Sequence, residues 1–357
     1  MNIIKHGDQY QVYSDSVETF HNLPALTYQV EFEQMRGFYL KLRPDLVVSE
    51  QKVYGNHEKK VTKAIESFNR INRNFGILLS GPKGIGKTLF LKMLAKKAID
   101  NGLPVISVNA PVEGVAEFIS SIEQDCVVIF DEFEKIFNDE RGMQNSLLPL
   151  FDGLDGGHKM FVVTCNDLYK INDYMLNRPG RFHYHFTLNG PSSDEIKEYL
   201  DDKLDPHCKT YIPELVNLSF VADFTYDQLR AIVFDLNQGY SLKETMGDIN
   251  ISRENCEFDM TVVVNGIEYT TYGCYIDMVS HEVEGYNLKQ FKDDDAPSSI
   301  TIGFIPFMDI KVNSNAQFSI ENAKILWTNS DKENSCFSID KISIKKSPSR
   351  SIARYDV

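Results

Sequence analysis

The 357-residue sequence lacks paired cysteines. Its six, Cys126, Cys165, Cys208, Cys256, Cys274 and Cys336, never come within four residues of one another, so neither a zinc knuckle nor a CxxC redox pair is present. Two lie in the apolar runs "CVVIF" and "FVVTC", where a thiol packs as a small hydrophobe and a reducing interior suits it. No charged-then-apolar leader opens the chain, and no stretch approaches the roughly 18 apolar residues of a membrane span. The expectation is a soluble, intracellular, cytoplasmic protein with no membrane partner. Positive charge is also short: 37 Lys and Arg stand against 51 Asp and Glu, a formal net charge of -14. Such a chain does not coat nucleic acid through its overall field, so any such binding needs a local basic strip. There is no visible helix-turn-helix, internal repeat or long low-complexity tract.

Hydrophobic residues make up 42% and charged residues 25%, which suits a folded chain, and the length calls for more than one domain. Residues 1–50 alternate polar and apolar side chains; "TYQVEFEQM" and "FYLKLRP" read as half-buried strands. "NHEKKVTKAIESFNRINRN" (56–74) has helical spacing at Val61, Ile65 and Phe68. Then "FGILLS", "PVISVN", "CVVIFD", "MFVVTC" and "HYHFTL" alternate with helix-like segments, as in a parallel sheet covered on both faces. "PSSDEIKEYLDDKL" (191–204) opens as a helix should and begins a helical region reaching about 247. Residues beyond that are rich in Thr, Val, Ile, Tyr and Asn in short alternating runs, with a hairpin tip expected at Asn265-Gly266. The segments are 1–50 (β-rich), 51–188 (α/β core), 189–247 (helical) and 248–357 (a β-sandwich or barrel-like domain). "KDDDAP" (292–297) is either an exposed loop or a cation site. "KISIKKSPSRSIAR" (341–354), basic and free of acid, is either a solubilising tail or a binding arm.

"GPKGIGKT" (81–88) has the spacing G-x-x-x-x-G-K-[ST] between a strand and a helix. Glycines let the backbone wrap and aim N–H groups at phosphate oxygens, and the helix start adds its positive end. Gly81, Pro82, Lys83, Gly84, Ile85, Gly86, Lys87, Thr88 and Leu89 are therefore the candidate nucleotide-binding residues. In this pattern Lys87 meets the β- and γ-phosphates and the Thr88 hydroxyl reaches Mg²⁺. The run "CVVIFDEFEKIF" ends a strand in Asp131-Glu132, at the edge where an open α/β sheet takes its ligand. Asp131 would hold Mg²⁺ through water, and Glu132 would orient and polarise an attacking water. Glu134 is expected on the surface.

These motifs, in this order, resemble the AAA+ ATPases over about residues 50–247. The resemblance implies a P-loop α/β core with a helical lid, binding ATP and Mg²⁺. "FVVTCND" resembles the strand ending in the polar sensor-1 residue, here Asn166, whose amide would contact the γ-phosphate or the lytic water. "MLNRPGRFHYHF" resembles the family's R-P-G-R-F segment, which implies that Arg178 and Arg181 act as arginine fingers on the next subunit's nucleotide. "KVYGNHE" resembles the segment beside the adenine, so Tyr54 and Gly55 would line the base pocket. Fingers acting in trans imply a ring-shaped homo-oligomer, usually a hexamer.

Two stretches depart from the family pattern. Tyr226 and Asp227 stand where the lid often carries an arginine; Arg230, one turn on, is either a γ-phosphate contact or a packing residue. Val112, Glu113 and Gly114 stand where threading members carry an aromatic. His183 and His185 alternate on "FHYHF", a pattern of local packing more than of metal binding. The function expected is ATP hydrolysis driving the remodelling of a protein partner or assembly. The alternatives are a DNA-handling loader or initiator type and a nucleotide-gated binding protein with little turnover.

Overall fold

The computed structural model describes residues 2–249 except 15, 45, 47, 49–51, 138–141, 153–157, 177–179, 220–223. Beyond them it describes 258–264, 266–277, 282–284, 288–289, 299–300, 310–312, 318–320, 324–328, 334–338 and 341–346. The chain divides into two compact units, 1–189 and 190–357.

The first unit opens with a two-stranded hairpin, β1 (Asn2–His6) and β2 (Gln9–Tyr13). Then come β3 (Thr27–Glu33), β4 (Gly37–Leu42), α1 (His57–Phe68), β5 (Phe75–Ser80), α2 (Lys87–Asp100), β6 (Val105–Ser107) and α3 (Val115–Ser120). The rest are β7 (Cys126–Phe130), α4 (Phe133–Ile136), α5 (Met143–Ser146), α6 (Leu148–Asp152), β8 (Lys159–Cys165), α7 (Asp173–Leu176) and β9 (Tyr184–Thr187). Strands β5, β7 and β8 are buried at every position. Their side chains alternate between two cores, as the two-residue period of a strand demands. Phe75, Ile77, Leu79, Val127, Ile129, Met160 and Val162 pack with Phe68, Phe90 and Leu94 on one face. Leu78, Val128, Phe130, Phe161 and Val163 pack with Ile119, Phe133 and Phe151 on the other.

The sheet has seven described strands in the order β4-β3-β6-β7-β8-β5-β9, parallel except where β4 runs against β3. β3 and β4 are therefore strands of the core sheet, while β1 and β2 pair with each other. Thr27–Gln29 pair with Val105–Ser107, and Val30 packs in the same core as Ile106. The half-buried alternation that marked β3 and β4 as strands carries no information about which sheet they join.

In the second unit, α8 (Ser193–Lys203), α9 (Ile212–Leu218), α10 (Tyr226–Asn237) and α11 (Leu242–Asp248) follow one another. Capping boxes start three of them, Ser192 with Glu195, Thr225 with Gln228 and Ser241 with Glu244. Strands β10 (Phe258–Val264) and β11 (Ile267–Asp277) form the expected hairpin, with Gly266 at φ 76°; Asn265 lies outside the described residues. The first half of the basic tail is not a free arm: Lys341–Lys346 is a strand on the other side of β10, pairing Lys345 with Asp259. The rest of that tail and 292–297 lie outside the described residues.

One close approach joins the start of β5 to the segment before β9. Arg181, expected to reach out to a neighbouring subunit, turns inward and is 4% exposed. Its Nε and Nη2 donate to both carboxylate oxygens of Asp152 at 2.5 and 2.8 Å, and Nη1 donates to the Tyr174 carbonyl. This two-pronged grip turns the guanidinium into its own chain rather than outward. Its backbone lies against β5: a Cβ on Gly76 would fall 1.9 Å from the Arg181 carbonyl oxygen.

Two predictions follow from this contact. Gly76→Ala should destabilise the protein by about 1–3 kcal/mol through overpacking. Gly247→Ala, whose Cβ meets nothing within 4 Å, should not destabilise it. Thermal midpoints check this, and equal midpoints for the two variants would contradict it. Arg181→Ala should cost about 1.5–3 kcal/mol in nucleotide-free protein, because it removes the charge-assisted bonds to Asp152 and the donor to the Tyr174 carbonyl. An unchanged thermal midpoint with lost ATPase activity would return Arg181 to the finger role.

Candidate nucleotide site

The strand order sets three chain turns side by side. β8 lies between β7 and β5, so the residues after each strand meet at one edge of the sheet. After β5 the loop needs glycine: φ is 149° at Gly81, 77° at Gly84 and 96° at Gly86. A Cβ on Gly81 would lie 2.2 Å from the Leu188 carbonyl oxygen, so the loop hugs the end of β9. Ile85 is buried and pins the loop, while Pro82 and Lys83 are exposed. Gly86 leads into α2 with no side chain capping the first turn, which leaves that turn's N–H groups to an anion. Thr88 is exposed on this turn and Leu89 is half-buried.

Lys87 is buried beneath the loop. Its ammonium donates to the carbonyls of Gly81 (2.5 Å) and Pro82 (2.7 Å) and to Asn166 Oδ1 (2.8 Å). Burial pulls its pKa down, opposed by Cys165 and by the carboxylates of Glu134, Asp131 and Glu132.

At the end of β7, Asp131 Oδ1 accepts from the Thr164 hydroxyl at 2.6 Å and from the Glu132 N–H at 3.1 Å. The Glu132 N–H also meets Thr164 Oγ1 at 2.8 Å. Glu132 sits at φ 48°, the one non-glycine with positive φ among the described residues. Its carboxylate pairs with Lys135, which holds its pKa below the usual carboxylate range. Thr164 is a partner the sequence did not single out, because inside "FVVTC" a threonine reads as one more β-branched strand residue.

Glu134 is a second departure. Expected on the surface, it is only 7% exposed, and its Oε1 accepts from both the backbone N–H (2.9 Å) and the side-chain Nδ2 (2.7 Å) of Asn166. Asn166 thus bridges Lys87 and Glu134. Tyr54 is buried, with the Lys52 ammonium 5.0 Å from its ring centre, and Gly55 is exposed at φ 80°. Three residues after Tyr54, His57 packs against the loop: a Cβ on Gly86 would lie 3.1 Å from its Nε2. His57 is a loop contact that sequence reasoning missed.

The two alternating histidines do separate jobs. His183 packs on Phe75, and His185 Nε2 shares a hydrogen bond with Ser80 Oγ at 2.8 Å, where burial lowers its pKa. No cluster of metal-ligating side chains occurs among the described residues. Arg178 lies outside the described residues, and Arg181 is the internal strut described above. Arg230, in the second unit, is exposed beside Asp227. No described helix is long and apolar enough to cross a membrane.

Residues 77–189 match the family model described as the ATPase family associated with various cellular activities (AAA). Similar curated proteins include Protein mac-1 of Caenorhabditis elegans, 28% identical over 45% of this chain and 22% of that protein. The human Peroxisomal ATPase PEX1 is 31% identical over 46% of this chain and 14% of its own length. The ATP-dependent zinc metalloprotease FtsH of Caldicellulosiruptor bescii is 31% identical over 59% of this chain and 37% of its own. The chain thus spans well under half the length of these relatives. The match falls on the sheet and turns that bring Gly81, Asp131 and Asn166 to one edge, and the chain carries a domain of the AAA ATPase family over residues 77–189.

Proposed function

We propose that the chain binds Mg-ATP at the end of β5 and hydrolyses it, and that a homo-oligomeric ring of such chains uses the cycle to remodel a protein partner. The observation that carries this is Lys87, an ammonium set beneath a glycine-rich loop and tied to a residue at the end of a neighbouring strand. The donor set fits a nucleotide triphosphate: bare N–H groups at the start of α2 and a buried cation for the phosphates, with hydroxyl and carboxylate for a hard divalent ion.

In this reading the loop from Gly81 to Leu89 wraps the phosphates, Lys87 holds the β- and γ-oxygens, and Tyr54 and Gly55 border the base. Thr88 and Asp131 hold Mg²⁺ through oxygen, Asp131 by way of water. When bound, Mg²⁺ supplies positive charge to the phosphate oxygens and the leaving group. Glu132, a carboxylate held beside Lys135, orients the attacking water and draws off its proton. The water oxygen bonds to the γ-phosphorus, the bond to the β–γ bridging oxygen breaks, and ADP and inorganic phosphate leave. With Arg181 committed internally, the trans-acting charge falls to Arg178.

A protein partner suits the acidic chain better than nucleic acid does. Gripping an extended polypeptide by aromatics is not part of the proposal. The loop at Val112, Glu113 and Gly114 has none, and the next aromatic, Phe118, stacks on Phe38 of its own subunit at 5.3 Å. A folded partner or an assembly is the object proposed.

Glu132→Gln tests the core of this reading. ATP turnover should fall by about 100-fold or more while ATP binding persists. Light scattering of that variant should show a shift with Mg-ATP from one chain mass toward roughly six. Unchanged turnover would overturn the hydrolytic role of Glu132; a single-chain mass with and without Mg-ATP would overturn the ring.

A further inference from the structure

We infer that Glu134 is a positioning residue that fixes which end of the Asn166 amide faces the phosphates: the oxygen, not the nitrogen. The inference rests on the hydrolytic reading above and adds to it a residue and a direction.

A terminal amide has two orientations of nearly equal shape and opposite hydrogen-bond sense. Both ends of Asn166 meet a charged group that decides between them. Nδ2 donates to Glu134 Oε1 at 2.7 Å, and the same oxygen takes the Asn166 backbone N–H at 2.9 Å. Oδ1 takes the Lys87 ammonium at 2.8 Å. Turning the amide over would set its oxygen against a carboxylate and its NH₂ against an ammonium. Each contact would then lack either a proton or a lone pair, in a place where Glu134 and Lys87 are 7% and 8% exposed and water cannot make up the loss. The ring of contacts also crosses three strand ends: Lys87 follows β5, Glu134 follows β7 and Asn166 follows β8.

The consequence is chemical. With Nδ2 committed to Glu134, Asn166 enters the site as an acceptor. It holds Lys87 before phosphate arrives, and once Lys87 turns to the phosphates its oxygen is left to accept a proton of the attacking water. Nδ2 keeps a second proton, so the Glu134 contact sets the direction of the amide without removing it as a donor. Glu132 orients the water from one side and the Asn166 oxygen from the other, so two acceptors define its position.

The test uses the full chain and two kinds of readout. In nucleotide-free protein selectively ¹⁵N-labelled at asparagine, the Asn166 NH₂ resonance is assigned by its loss in Asn166→Ala. Glu134→Ala should move that resonance toward the position of a water-exposed amide, and Glu134→Gln should move it part of the way. A resonance that stays put in both variants overturns the inference, and Glu134→Gln decides the matter if Glu134→Ala does not fold. In turnover, Glu134→Ala should lower kcat about tenfold or more while changing the ATP dissociation constant less than about threefold. Glu134→Gln should recover the larger part, because its carbonyl still accepts both N–H groups. Glu134→Ala should add nothing in an Asn166→Ala background, since Glu134 acts through Asn166; additive losses overturn the positioning role. A wild-type protein that binds ATP without hydrolysing it would fail the hydrolytic reading and the catalytic consequence drawn here. The resonance measurement would still decide whether Glu134 fixes the amide.

Discussion

A buried ammonium must find acceptors, and the neighbourhood of Lys87 is arranged by that requirement. An isolated charge in its place would be expensive, or would lose its proton, so the pull of burial on its pKa has to be met from nearby. Two acceptors are carbonyls of its own loop, which turn inward only because Gly81, Gly84 and Gly86 allow backbone angles closed to other residues. The third belongs to Asn166, on the adjacent strand, and is oriented by Glu134 from a third strand. Sheet order, glycine placement and two polar side chains are thus conditions on one charge. The same arrangement readies that charge for phosphate, because carbonyl oxygens are neutral acceptors and an anion outbids them.

The backbone contacts around the site follow a related economy. Gly81 touches the end of β9 through Leu188, and Gly76 touches the Arg181 carbonyl from the start of β5, at the opposite edge of the sheet. Both contacts hold β9 and the segment before it tightly to the strand that carries the loop. Arg181 contributes through Asp152 and the Tyr174 carbonyl, tying α6 and α7 to the segment before β9. A guanidinium used this way is a structural part of the sheet's frame.

How much of this was readable in advance depended on whether the cause was local. β5, β7 and β8 were legible because strands buried on both faces must be apolar throughout. The loop was legible because its backbone chemistry demands a fixed glycine and lysine spacing. The helix starts at Ser192, Thr225 and Ser241 carry their caps within four residues of sequence. The inward turn of Arg181 depends on Asp152, 29 residues away, and an arginine beside glycine and proline reads equally well as exposed. Glu134 looks like a solvated acid in the first turn of a helix until Asn166, 32 residues on, is brought to it. The docking of β3 onto β6 spans more than 70 residues and leaves no mark on either strand alone.

The site separates into groups that are held and groups that are loose, and this division is what a catalytic cycle needs. Asp131 is held by the Thr164 hydroxyl, Asn166 by Glu134, and Lys87 by three acceptors. Glu132 differs. Its backbone is forced into the left-handed region, a conformation stabilised by its N–H bonds to Asp131 and Thr164, so the origin of its side chain is fixed. Its carboxylate, however, pairs chiefly with Lys135, and both ends of that pair stand in water, at 44% and 46% exposure. An exposed pair of this kind contributes little, on the order of 1 kcal/mol or less. Releasing the carboxylate to a water molecule is therefore cheap, while displacing Lys87 from its acceptors requires a competing anion. Under the proposed hydrolysis, the difference in these two costs would give an order of events, phosphate capture by Lys87 first and engagement of water by Glu132 after it.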